Sequence, residues 1–145
     1  MENADKEELL TLIAHKLRFV EGPLSWVGIN DLQSLTFMRN DYFEPLKVKN
    51  LAEGSMPQIP KETNLVLIQL QNQGMQQAIS ALPQIGTLPG LQETMAKLHD
   101  NIFLIDDLVF NEASDLEQLE ILAEVFYHKF FAFGHEGKAW VKLSV

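Results

Sequence analysis

The segment Asn64-Leu65-Val66-Leu67-Ile68-Gln69-Leu70-Gln71 sets the frame for everything around it. In an extended chain successive side chains point to opposite sides, so Val66, Ile68 and Leu70 share one face and Leu65 and Leu67 the other. A run that is apolar on both faces fits a strand inside a sheet that is covered on both sides. The rival reading is one helix from Lys61 to Leu82. Gly74 would then sit in its interior, at a cost of about 1 kcal/mol relative to alanine. The strand is preferred, with a helix from Gln73 to Leu82 after it.

Downstream, Pro83, Gly86, Pro89 and Gly90 mark turns, and a helix is expected over 91–99. Residues 101–110, Asn-Ile-Phe-Leu-Ile-Asp-Asp-Leu-Val-Phe, read as a second buried strand. Ser114 and Glu117 have the Ser-x-x-Glu spacing of a capping box. Leu116, Leu119, Ala123, Phe126 and Phe130 continue from it as a helical stripe, which Gly134 ends. From Lys138 to Val145 the pattern alternates, with Trp140 on the same side as Lys138 and Lys142, which predicts a half-exposed strand.

Upstream, Leu9, Ile13, Leu17 and Val20 predict a helix over 5–20, capped by Asn3 or Asp5 and stopped by Gly22-Pro23. A short strand over 24–29, a short helix from Asn30 or Asp31 to Met38, an exposed strand over 45–51 and a loop over 54–60 complete the reading. Helices alternating with strands predict an α/β or α+β fold, with helices packed on a mixed sheet and residues 1–145 as one globular domain. A mainly α fold is the alternative, because 101–110 is short enough to be either element.

At 46% hydrophobic residues, the chain of 145 is too apolar to be disordered. Having no cysteine, it has no disulfide, thiolate metal site or thiol nucleophile. The polar, acidic first residues do not read as a secretory leader, and no apolar run reaches the roughly 18 residues of a membrane span. A cytoplasmic protein without a membrane partner is expected. The net charge of −9 opposes nucleic-acid binding, since the basic residues are scattered.

The charge is uneven. Eight acids lie between Leu98 and His128, where there is no lysine or arginine. Residues 63–92 carry no charge and seven glutamines. Clustered acids steer basic partners, so the favoured expectation is a non-catalytic interaction module, inhibitor-like or chaperone-like. It would bind a basic protein through 98–128, with Asp115, Glu117, Glu120, Glu124 and Trp140 as the contact residues.

Two alternatives stand beside it. The first is a small enzyme or a ligand- or metal-binding domain using Asp106 and Asp107 with His99 or His135, since paired carboxylates at a strand end can hold a metal beside a phosphate. No phosphate-binding loop precedes the pair, and adjacent strand residues diverge unless the strand ends at Ile105. A solvated strand end is therefore the preferred account of these acids. The second is a homo-oligomer, suggested by the surplus of aromatics at Phe126, Tyr127, Phe130, Phe131 and Phe133. No motif implies a cofactor, and no serine lies in a nucleophile motif.

Overall fold

The computed structural model of the protein describes residues 2–33, 35–38, 46–52 and 56–145. In chain order the elements are helix α1 (Glu2–Lys16) and strands β1 (Leu24–Asp31), β2 (Thr36–Phe37), β3 (Val48–Asn50) and β4 (Leu65–Ile68). Helices α2 (Met75–Ile79) and α3 (Leu82–Gly86), a 3-10 turn (Leu91–Glu93) and helix α4 (Met95–Leu98) lead to strand β5 (Ile102–Ile105). Helices α5 (Asp107–Glu112) and α6 (Asp115–Phe126) and strand β6 (Trp140–Lys142) follow.

The strands form one six-stranded mixed sheet, in the order β2-β1-β4-β5-β6. β1, β4 and β5 are parallel, and β6 runs antiparallel to β5. Trp26 pairs with Leu65 of β4 on one side and Asn50 of β3 on the other. Ile29 is likewise flanked by Ile68 of β4 and Phe37 of β2. β2 and β3 thus share the edge of β1 that faces away from β4. The architecture is helices packed on a mixed sheet, as the alternation predicts, and not mainly α.

Both faces of the sheet are covered, which is why β4 and β5 are apolar at every position. Leu65, Leu67, Phe103 and Ile105 face a core shared with α1 and α6, through Leu9, Ile13, Leu119, Leu122 and Phe126. Val66, Ile68, Ile102 and Leu104 face the opposite core, with Ala78, Ile85, Leu91 and Ala96 of the segment between the two strands.

The structure corrects several local expectations. α1 begins at Glu2 and ends at Lys16, so Asn3 and Asp5 lie inside its first turns and do not cap it. The described residues between Asn30 and Met38 form no helix: β1 continues to Asp31, and Thr36–Phe37 pair back onto it as β2. The expected strand over 45–51 is β3, three residues long, with Pro45 outside the described residues, as are 54 and 55 of the expected loop. Strand β5 ends at Ile105, and Asp106 becomes the N-cap of α5.

The capping box of α6 forms as predicted, with Glu117 N–H donating to Ser114 Oγ at 3.2 Å and Ser114 N–H donating to Glu117 Oε1 at 3.3 Å. The helix stops at Phe126, eight residues short of Gly134. The reason lies at Glu124, whose side chain is 2% exposed. It accepts from the backbone N–H groups of Phe133 at 2.6 Å, Gly134 at 3.2 Å and His135 at 3.2 Å, and from Trp140 Nε1 at 3.1 Å. The chain after Tyr127 folds back onto this carboxylate instead of extending the helix. Among the described residues, no helix is long and apolar enough to cross a membrane.

Candidate functional site

Because β1, β4 and β5 are parallel, their C-terminal ends open at the same edge of the sheet. From β1 the sheet extends to β3 on one side and to β4 on the other. In open α/β sheets a crevice forms where the chain diverges in this way, and ligands settle there. Here the crevice consists of two adjoining cavities that share Asn30, Gln71 and Asn72. The one beneath Asp31, Gln73 and Gln84 measures about 360 Å³. The one beneath Met38, Gln69 and Asp107 measures about 250 Å³.

Asp106 and Asp107 meet this region because the strand ends just before them. Asp106 accepts from Val109 N–H at 3.0 Å, capping α5, and from Met75 N–H at 2.9 Å, at the start of α2. Asp107 accepts from Gln69 Nε2 at 2.9 Å and from Asn72 N–H at 2.8 Å. Each carboxylate is thus held by two N–H groups, and both residues are buried, not a solvated strand end. Their work is positional: they lash the loop after β4 into the crevice wall. Asn72 adopts a left-handed conformation at φ 61°, which asparagine tolerates better than most residues.

Two acceptors in the crevice are left over. Gln69 Oε1 and Asn30 Oδ1 are buried and have no hydrogen-bond partner among the described residues. Such an orphan costs about 1–3 kcal/mol unless something outside the chain supplies a donor. The amide of Gln69 cannot simply be turned over. Its Nε2 donates to Asp107 Oδ1, and the flipped amide would place oxygen against carboxylate oxygen. Ile29 and Ile68 are the last pair in register between β1 and β4; beyond them Gln71 N–H donates to Asn30 O at 3.1 Å, and Asn30 and Gln69 both line the smaller cavity.

The metal alternative built on Asp106, Asp107 and His99 is not assembled. His99 caps the end of α4, before β5, whereas the two aspartates follow β5. The four residues of that strand separate them by about 13 Å at 3.3 Å per residue. Among the described residues, no three of the histidines, aspartates and glutamates come together as a metal site. His135 pairs instead with Glu120, Nε2 to Oε1 at 3.0 Å.

The expected docking residues divide. Asp115 and Glu117 are exposed, and Glu120 is part-exposed against His135. Glu124 and Trp140 are buried, so neither offers a surface to a partner. Trp140 is 2% exposed because its Nε1 donates to Glu124 of α6 and its ring meets Phe103 edge-on at 5.6 Å, whereas Lys142 on the same strand face is exposed. The aromatic surplus is mostly absorbed too: Phe126, Tyr127 and Phe131 are buried, and Phe130 is exposed.

His128 packs against the Phe103 ring at 5.4 Å. Its pKa is pushed below the ordinary 6.5 mainly by burial, then by Lys142 and Lys129, with Glu136 opposing. The unfolded chain therefore takes up this proton first as pH falls. Stability is expected to decline from about pH 6.5 downward, until the folded-state pKa is reached. Urea melts across that range should show a shallower decline in His128→Gln; identical pH profiles would show that His128 does not contribute.

The sequence reading missed Asn30, Gln69, Gln71 and Asn72. The one available signal was the uncharged, glutamine-rich stretch, which does contain three of the four. No known protein family, curated protein or solved structure significantly matches this chain.

Proposed function

We propose that this chain is a ligand-binding domain whose ligand occupies the crevice at the ends of β1 and β4. The observation that carries this reading is the buried Gln69 Oε1, held in its orientation by Asp107 and without a partner among the described residues. Native proteins rarely leave such a group unsatisfied without a reason. The cavity of about 360 Å³ also lies within the usual range for small-molecule sites. A screen of a small-molecule library by amide NMR tests it. Binding compounds should shift Asn30, Gln69, Gln71 and Asn72 together and should lose affinity in Gln69→Met. If no compound moves these resonances, or if the hits gather elsewhere, the reading fails.

A second reading keeps the acidic interaction module. Leu108 and Val109 are exposed on α5, and Glu112, Asp115 and Glu117 are exposed in the segment that follows. Leu108 and Glu112 are one helical turn apart and so share a face. An apolar pair followed along the chain by exposed acids suits a basic, partly apolar protein surface. Capture of a basic partner that weakens with salt and is lost in Leu108→Ser supports this reading. Capture that survives both changes removes it.

A further inference from the structure

We infer that the crevice belongs to a groove that binds an uncharged oligosaccharide, a conclusion that rests on the ligand-binding reading above and names the class of ligand. A third cavity, of about 280 Å³, extends the crevice. It shares Leu32, Gln33 and Gln84 with the larger of the two cavities described above, and no described lining residue with the smaller. The three therefore lie in series, with the larger in the middle. Such a groove suits a linear ligand that fills it unit by unit.

The walls indicate the kind of unit. Of the described lining residues, asparagine or glutamine supplies six of ten in the larger cavity and five of seven in the smaller. A primary amide sets an acceptor oxygen beside a donor nitrogen, and sugar hydroxyls both donate and accept. The two match without a charge having to shed its water. Gln69 is the fixed point. It is 6% exposed, Asp107 holds its amide, and its Oε1 has no partner among the described residues. A sugar hydroxyl can donate to that oxygen. A hydroxyl also suits the Asn30 amide in either orientation, since it can give or receive a hydrogen bond. Leu32 and Leu70 in the larger cavity, and Leu88 and Pro89 in the third, supply apolar surface for the C–H faces of the sugar rings.

Other linear ligands fit less well. An extended peptide commonly gains affinity by adding a strand to a free sheet edge. β1 and β4, whose ends form the crevice, are each paired on both sides and offer no such edge. A nucleic acid would bring its phosphates to a protein of net charge −9.

The experiment is a titration of the full chain, followed by amide NMR, with four neutral trisaccharides: maltotriose, cellotriose, mannotriose and triacetylchitotriose. Each is compared with its own monosaccharide and with the uncharged peptide acetyl-trialanine amide. The expected result is that at least one trisaccharide shifts Asn111, Gln73 and Thr87, one residue from each cavity, and binds at least tenfold more tightly than its monosaccharide. Gln69→Met should weaken that trisaccharide at least fivefold, and so should Gln84→Ala. Gln84 is exposed on α3 and lines two of the cavities, so its truncation tests binding where Gln69→Met disturbs the fold. A trisaccharide that binds no better than its monosaccharide, or that shifts one cavity alone, overturns the groove. Tighter binding of the peptide, no shift with any of the sugars, or full affinity in the folded variants overturns the oligosaccharide assignment. The ligand-binding reading survives these outcomes and falls only if the wider library leaves Asn30, Gln69, Gln71 and Asn72 unmoved.

Discussion

Glu124→Ala is expected to destabilise the fold by about 3–5 kcal/mol, the range for removing one partner from a buried, hydrogen-bonded charge. The carboxylate receives four N–H groups: those of Phe133, Gly134 and His135 and the indole of Trp140. Alanine would leave all four donors in a site with little access to water. The loss should appear as a lower urea midpoint with an unchanged slope. Glu124→Gln should fall between the two, because the amide oxygen replaces one acceptor while its NH₂ opposes the other donors. Glu120→Gln, on the more exposed side of the helix, should change stability by less than about 1 kcal/mol. Equal losses at 120 and 124 would show that the buried network does not hold the chain after α6.

Gly90→Ala is expected to cost about 2–4 kcal/mol, combining a left-handed backbone penalty with overpacking. Gly90 has φ +84°, and an added Cβ would lie 2.6 Å from the carbonyl oxygen of Ile59 and 3.0 Å from its nitrogen. Both are backbone atoms, so no side-chain rotation relieves the collision. Ile59 is itself fully buried and donates its N–H to Pro89 at 2.9 Å, so the two segments cannot separate without opening the core. Gly134→Ala is the control. Its φ is +95°, but nothing lies within 4 Å of the added Cβ, so only the backbone penalty of about 1–2 kcal/mol applies. Thermal melts that rank the two variants equally would remove the packing part of this argument.

Much of the sheet was legible because its signals are local. The two runs at 65–68 and 102–105 are apolar at every position, and only a strand covered on both faces uses such a run fully. The capping box at Ser114 spans three residues and needs no tertiary information. The short helix expected up to Met38 failed for the opposite reason. Its residues extend β1 and pair back onto it as β2, and pairing along a sheet overrides local preference.

The candidate site was less legible. Asp106 as a helix cap was within reach, since its partner Val109 is three residues away. Asp107 was not, because Gln69 and Asn72 lie 38 and 35 residues upstream. Glu124 offered a weak signal as the single charge in the run Ile121-Leu-Ala-Glu-Val-Phe-Tyr127, all of which is buried. Treating it as one more member of an acidic surface overlooked that a charge inside an apolar run is often there to be paired.

The segment from Asn64 to Gln71 shows where the boundary falls. Its alternation by itself determined a strand, the side to which each apolar residue points, and the need for cover on both faces, because those follow from the two-residue period of an extended chain. It did not determine that Gln69 would be buried in the cavity that Asn30 also lines, with its oxygen unpaired among the described residues. That depended on the parallel pairing of β4 with β1 and on the turn into α5 that brings Asp107 to its amide. Apolar burial is written position by position along the chain, whereas a polar group's partner is chosen only when distant segments meet.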